Sequence, residues 1–213
     1  MIEFGLESLS HADLAYQWHS GFASSDENIS RLEMEQCKAL AANGKLVVAK
    51  RINGTDIPEF VAVIYYDVEN STWVLGGLMT DYNVRGKGVA QVLCSLALGR
   101  LIALENPFGR SERIVSHVAR SNDRPKRLLE LAGFQKVASM KSSRETDEGE
   151  ERWIDEYELK NRYVALEMLK KWAANWNLPL CSSIQKRSLL TLPPGNNIAD
   201  WHAIFEVQQK YGT

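Results

Sequence analysis

The sequence predicts an α+β fold: a mixed, mostly antiparallel sheet with flanking helices, followed by a helical C-terminal extension. Three observations lead there. Residues 45–80 hold three successive runs rich in Val, Ile and aromatic residues, divided by turn residues, which is the pattern of a meander. Runs with helical spacing then alternate with short strand-like runs, so helices must cover the sheet. Beyond residue 160 that rhythm stops, and amphipathic patterns and prolines take over.

Taken in order, IEFGLESL alternates as a strand does. Ser10 with Asp13 reads as a helix start in front of LAYQWH. A second helix is expected to begin after Ser24 or Ser25 and to run through ISRLEMEQCKALAA, with Asn43-Gly44 as its stop. KLVVAKR, PEFVAVIYYDV and TWVLGGLMT are the three meander strands. The adjacent Gly76 and Gly77 predict a bulge or a close backbone approach in the third. VAQVLCSLALGRLIALEN reads as a long helix ending near Asn106-Pro107. A strand (ERIVSHVA), a helix stopped by Gly133 (SNDRPKRLLELAGF) and two strands (FQKVASM, RWIDEYEL) complete the domain. Val164, Met168, Leu169, Trp172 and Trp176 then mark a further amphipathic helix. The expected division is a domain over residues 1–160 and an extension over 161–213 packed on it. With Trp201, the tryptophans of that extension read as packing residues.

Composition narrows the function classes. The chain has 213 residues, is 45% hydrophobic and 24% charged, and carries a net charge of −2, which disfavours a nucleic-acid partner. No apolar run reaches membrane-spanning length, and the acidic N-terminal stretch MIEFGLESLS does not read as a signal peptide. Cys37, Cys94 and Cys181 are odd in number and widely spaced, and the four histidines lack ligand spacing. The expectation is a metal-free protein of the reducing cytoplasm.

The stretch GGLMTDYNVRGKGVAQVL carries the chemistry. A helix opening near Gly88 leaves its first N–H groups without intrahelical acceptors, and its dipole favours an anion there. Gly86 and Gly88 let the backbone approach closely, and Arg85 and Lys87 add full charges, so the loop reads as a diphosphate cradle. It is not a Walker A loop, which needs different spacing. Nor is it a dinucleotide fingerprint, since Gln91 stands where a third glycine belongs.

With Arg85, Gly88 and Ala90 in the pattern Arg/Gln-x-x-Gly-x-Gly/Ala, TDYNVRGKGVAQVL resembles the cofactor motif of the GNAT superfamily of acyl-CoA-dependent N-acetyltransferases. NDRPKRLLELAGF is similar to that family's next motif, with Asn122, Leu128, Gly133 and Phe134 in register. The resemblance implies a sheet splayed around acetyl-CoA as co-substrate, with no metal. It implies that Leu78, Met79 and Thr80 hold pantetheine, that Arg85, Gly86, Lys87, Gly88, Val89 and Ala90 hold the pyrophosphate, and that Asn122 touches the cofactor arm. It also implies a backbone N–H of the TWVLGGLMT strand, around Met79, as oxyanion donor.

The sequence departs from the pattern at Thr80, Tyr82 and Pro125, and at Leu129, where many members carry the tyrosine that protonates the departing thiolate. No carboxylate lies within WVLGGLMT. His117 is the candidate base, because an imidazole titrates near neutral pH, and Tyr82 and Tyr157 are candidate acids. The implied reaction is acetyl transfer to a primary amine. The rivals are a non-catalytic acyl-CoA-binding or regulatory module and an acetyltransferase of a macromolecule. The acidic run at 145–151 reads as a solvated tip, and the extension could narrow the substrate cleft or bury a homodimer surface.

Overall fold

The computed structural model describes residues 2–24, 32–51, 59–104, 113–142 and 151–175. Strand β1 (Ile2–Leu6) leads through a single 3-10 turn, Leu9–His11, into α1 (Ala12–Ala23). The expected Ser10 start is displaced by that turn, and Ser8 flanks it without a side-chain cap. Helix α2 spans Met34–Ala42, shorter than expected, because Glu33 is extended (φ −80, ψ 153) and ends the helix on its N-terminal side. Residues 25–31, part of that expectation, lie outside the described residues.

The meander is present as β2 (Leu46–Arg51), β3 (Glu59–Glu69) and β4 (Thr72–Thr80). Helix α3 (Val89–Leu104), β5 (Ile114–Ala119), α4 (Asp123–Leu131), β6 (Phe134–Lys141), β7 (Trp153–Leu159) and α5 (Arg162–Asn175) follow. The sheet order is β1-β2-β3-β4-β5-β7-β6. Every neighbouring pair is antiparallel except β4 with β5.

Helices cover the sheet on both faces. On one face, Ala12 and Ala15 of α1 and Cys37, Leu40 and Ala41 of α2 pack on Val48, Phe60 and Val63. On the other, α3 lies on Ala62, Ile64, Tyr66 and Leu75. Helix α5 packs against α3 from outside, which explains why α3 is apolar all round. Residues 92–102 of α3 are all buried, Arg100 included, whose Nε donates to the Tyr66 hydroxyl at 2.8 Å. Among the described residues no helix is long and apolar enough to cross a membrane. Of the extension's tryptophans, Trp176 and Trp201 lie outside the described residues, as does most of the acidic run.

Candidate active site

The site begins where the only parallel pair of the described sheet fails. β4 and β5 pair at Trp73↔Ile114 and Val74↔Val115 and nowhere beyond, although β4 runs on to Thr80 and β5 to Ala119. Two strand edges with unspent backbone groups thus face one another across an opening. The bulge expected at the glycine pair is there: the β3–β4 register shifts between Tyr65↔Gly76 and Val63↔Met79, with Gly77 at φ +62. The extra residue bends β4 away from β5.

The opening is a slot of about 90 Å³ walled by Gly76, Gly77 and Leu78 on one side and Ser116, His117, Val118 and Ala119 on the other. Cys94, Leu128 and Leu129 also line it. Burial pushes the Cys94 thiol up to about 12, so it stays a thiol. Leu78, Asn122, Pro125 and Leu128 also line a larger groove of about 740 Å³, which continues over Thr80, Tyr82, Arg85, Gly86 and Gly88 to Val89, Ala90 and Gln91. Slot and groove therefore meet.

Backbone direction along β4 follows from two bonds. Asp81 N–H donates to Val61 O at 2.8 Å, and the Thr80 carbonyl accepts from Arg85 Nε at 3.3 Å. Strand alternation then turns the polar groups of Met79 to β3 and those of Thr80 away from it, while Leu78 lies within the bulge. In the loop, Asp81 Oδ1 accepts from Asn83 N–H at 2.7 Å and starts a 3-10 turn, Tyr82–Val84. Gly86 and Gly88 take φ of +76 and +84, and the first α-helical bond of α3 runs from Val92 N–H to Gly88 O. Val89, Ala90 and Gln91 of that first turn line the groove, and the first N–H groups of a helix have no intrahelical acceptors. A Cβ built on Gly86 meets nothing within 4 Å, so the cradle is open there. These residues fit a diphosphate.

Most of the sequence-derived cofactor residues are brought together. Leu78, Met79, Thr80, Arg85, Gly86, Gly88, Val89, Ala90 and Asn122 line the groove, and Lys87 is exposed beside it. Asn122 precedes α4 without capping it by its side chain. His117 lines the slot, with Nε2 3.2 Å from Glu156 Oε2. Glu156 Oε1 in turn accepts from Arg113 Nη2 at 2.9 Å. Glu156 escaped the sequence reading because its pairing with His117 across β5 and β7 is non-local.

The two tyrosines are not brought to the slot. Tyr82 lies with the cofactor loop, stacked between Phe22 (5.9 Å between centroids) and the Arg85 guanidinium (3.8 Å). Tyr157 is buried in the core and lines neither cavity. Burial, with Glu130, Asp155 and Asp123 nearby, pushes its phenol pKa up. Leu129, at the expected tyrosine position, lines the slot and supplies no acid. A third tyrosine, absent from the sequence reading, lies at the bulge. The Tyr65 ring lies over Gly76 and Gly77, so that a Cβ on Gly77 would stand 2.4 Å from Cε1.

Comparison with known structures decides what this arrangement is. An acetyltransferase of the GNAT family from Streptococcus pneumoniae superposes with a TM-score of 0.56 at 15% identity, covering 74% of this chain and 98% of that one. The ribosomal-protein-S18-alanine N-acetyltransferase of Escherichia coli gives 0.56 at 15%, over 75% and 93%. This is the GNAT fold. NAA60 of Arabidopsis thaliana, solved in complex with acetyl-CoA, shares the GNAT fold at a TM-score of 0.57 and 15% identity, over 74% of this chain and 97% of that one. No protein-family model matches the sequence, and no curated protein does.

Proposed function

We propose that this protein is an acyl-CoA-dependent N-acyltransferase that moves acetyl from acetyl-CoA to a primary amine. The observation that carries the proposal is the continuity of the β4–β5 slot with the N–H-rich groove at the start of α3. A diphosphate in the groove would meet the α3 N-terminus and Arg85. The pantetheine arm would then enter the opening as an added strand. Acetyl-CoA supplies the activated acyl group as a thioester.

The residues present support direct transfer. With the imidazole proton on Nε2 and shared with Glu156, His117 Nδ1 keeps its lone pair and takes a proton from the attacking amine. The C–N bond forms as the carbonyl becomes an oxyanion, and a β4 backbone N–H beside the bulge, that of Leu78, would be the donor that stabilises it. The C–S bond then breaks and CoA leaves as thiolate, which takes its proton from water. The second reading, an acyl-CoA-binding module without turnover, draws on Leu129 lining the slot where the family's phenol would stand.

A melting titration with acetyl-CoA tests the binding half. Ligand at about a hundred times its Kd stabilises a one-site protein by about 2.7 kcal/mol. The parent is expected to shift while folded Gly88→Glu, which blocks the cradle and repels phosphate, does not. Steady release of CoA thiol with an amine panel separates the enzyme from the binding module. A well-folded parent that ignores acetyl-CoA and longer acyl-CoAs overturns the proposal.

A further inference from the structure

Strand register places one more polar group on the sheet face that Gly76 and His117 share. Tyr65 of β3 pairs directly with Gly76 of β4, so both face the same side of the sheet. Val74 pairs with Val115, and the residues two further along, Gly76 and His117, project on that same side where the strands have parted. His117 pairs with Glu156 on β7. Tyr65, Gly76, His117 and Glu156 therefore form a row across four strands on the face carrying α1 and α2, with the slot between the second and third.

Glycine at the second position is what gives the row its use. Without a side chain at residue 76, the Tyr65 ring reaches across β4, and its Cζ and Oη each come within 3.0 Å of where a Cβ on Gly76 would stand. The phenol thus lies on Gly76, a residue of the β4 wall, from the α1–α2 face and outside the lining of the slot itself, while the imidazole of His117 stands on the β5 wall. A phenol both donates and accepts a hydrogen bond, so it can hold an amine before and after that amine loses its proton.

We propose that Tyr65 and His117 form opposite walls of the acceptor-amine seat, with Tyr65 Oη hydrogen-bonded to the nitrogen that His117 deprotonates. The inference rests on the N-acyltransferase reading above. It makes Tyr65 a catalytic residue, where the sequence pointed to other tyrosines, and Gly76 the residue that makes room for it.

The test is Tyr65→Phe, which keeps the ring over Gly76 and Gly77 and removes only the hydroxyl. CoA release is followed with a panel of polyamines, lysine-containing peptides and peptides with free N-termini, and acetyl-CoA binding is followed by melting shift. The expected result is an unchanged acetyl-CoA shift with kcat/KM for the amine lowered roughly tenfold, the size of one lost hydrogen bond. His117→Gln in the Tyr65→Phe background should cost less than it does alone, because both groups act on one nitrogen. If Tyr65→Phe turns over as the parent does, the seat is wrong and the transferase stands. If the parent binds acetyl-CoA and acylates nothing in the panel, the transferase reading fails and the seat falls with it.

Discussion

At the residue scale the site is a matter of which face a side chain takes. The sequence offers Tyr82 and Tyr157 as acids in place of the tyrosine missing at Leu129. Pairing decides otherwise: Tyr157 is opposite Ser116, one residue out of step with His117, and so points into the core. Tyr65 sat inside the apolar run PEFVAVIYYDV, which reads as packing until the register with Gly76 is known. His117 was legible because an imidazole on the strand after the cofactor helix is chemically distinctive, whereas its partner Glu156, 39 residues away, was not. The His117–Glu156–Arg113 chain makes a graded expectation. His117→Gln should lower kcat/KM by about 100-fold or more, the usual worth of a general base. Glu156→Gln, which can still accept from Nε2 but no longer offsets a charged imidazolium, should cost less. Both variants should retain the acetyl-CoA melting shift, and loss of that shift would place His117 in cofactor binding instead.

At the element scale the sequence carried the order of strands and helices, because turn residues and periodicity are local signals. The splay was legible only as a glycine pair inside a strand, and its consequence, the failure of β4–β5 pairing after Val74, depends on a partner 41 residues away. The start of α2 was misread because the residues before Glu33 have helical composition, while Glu33 itself is extended. Gly77 and Gly86 separate two ways in which these elements need glycine. Both have positive φ, but a Cβ on Gly77 would strike the Tyr65 ring at 2.4 Å while one on Gly86 meets open space. Gly86→Ala should therefore destabilise by about 1 kcal/mol, the conformational cost alone. Gly77→Ala should destabilise by about 2–3 kcal/mol and reduce activity, since the ring must move. Equal losses in urea unfolding would mean that the Tyr65 contact contributes nothing to the bulge.

At the scale of the whole molecule, two buried ionisable groups couple folding to pH. His19 lies on the inner face of α1 with Ala12, Ala15 and Ala23, 1% exposed, and neither ring nitrogen has a hydrogen-bond partner among the described residues. Burial lowers its pKa from 6.5 to about 4, so the fold holds it neutral while the unfolded chain takes up a proton below 6.5. Its contribution is present above pH 6.5 and is lost as pH falls towards 4. Asp155 acts lower on the scale. Burial would raise its pKa, but hydrogen bonds from Lys136 and Ser139 and the charges of Lys136 and Arg120 outweigh it and hold the carboxyl at about 2. That contribution is present above 3.8 and is lost between 3.8 and 2. The two windows barely overlap, so stability should fall in two stages on acidification. Between pH 7 and pH 4.5 the first stage alone should remove about 2 kcal/mol, from a shift of about 1.36 kcal/mol per unit. His19→Leu, which fills the same apolar space without a titrating ring, should flatten the urea-unfolding free energy across that interval and leave the steeper fall below pH 4 in place. A parent profile already flat from pH 7 to 4.5 would mean that His19 is charged in the folded protein and has a partner there.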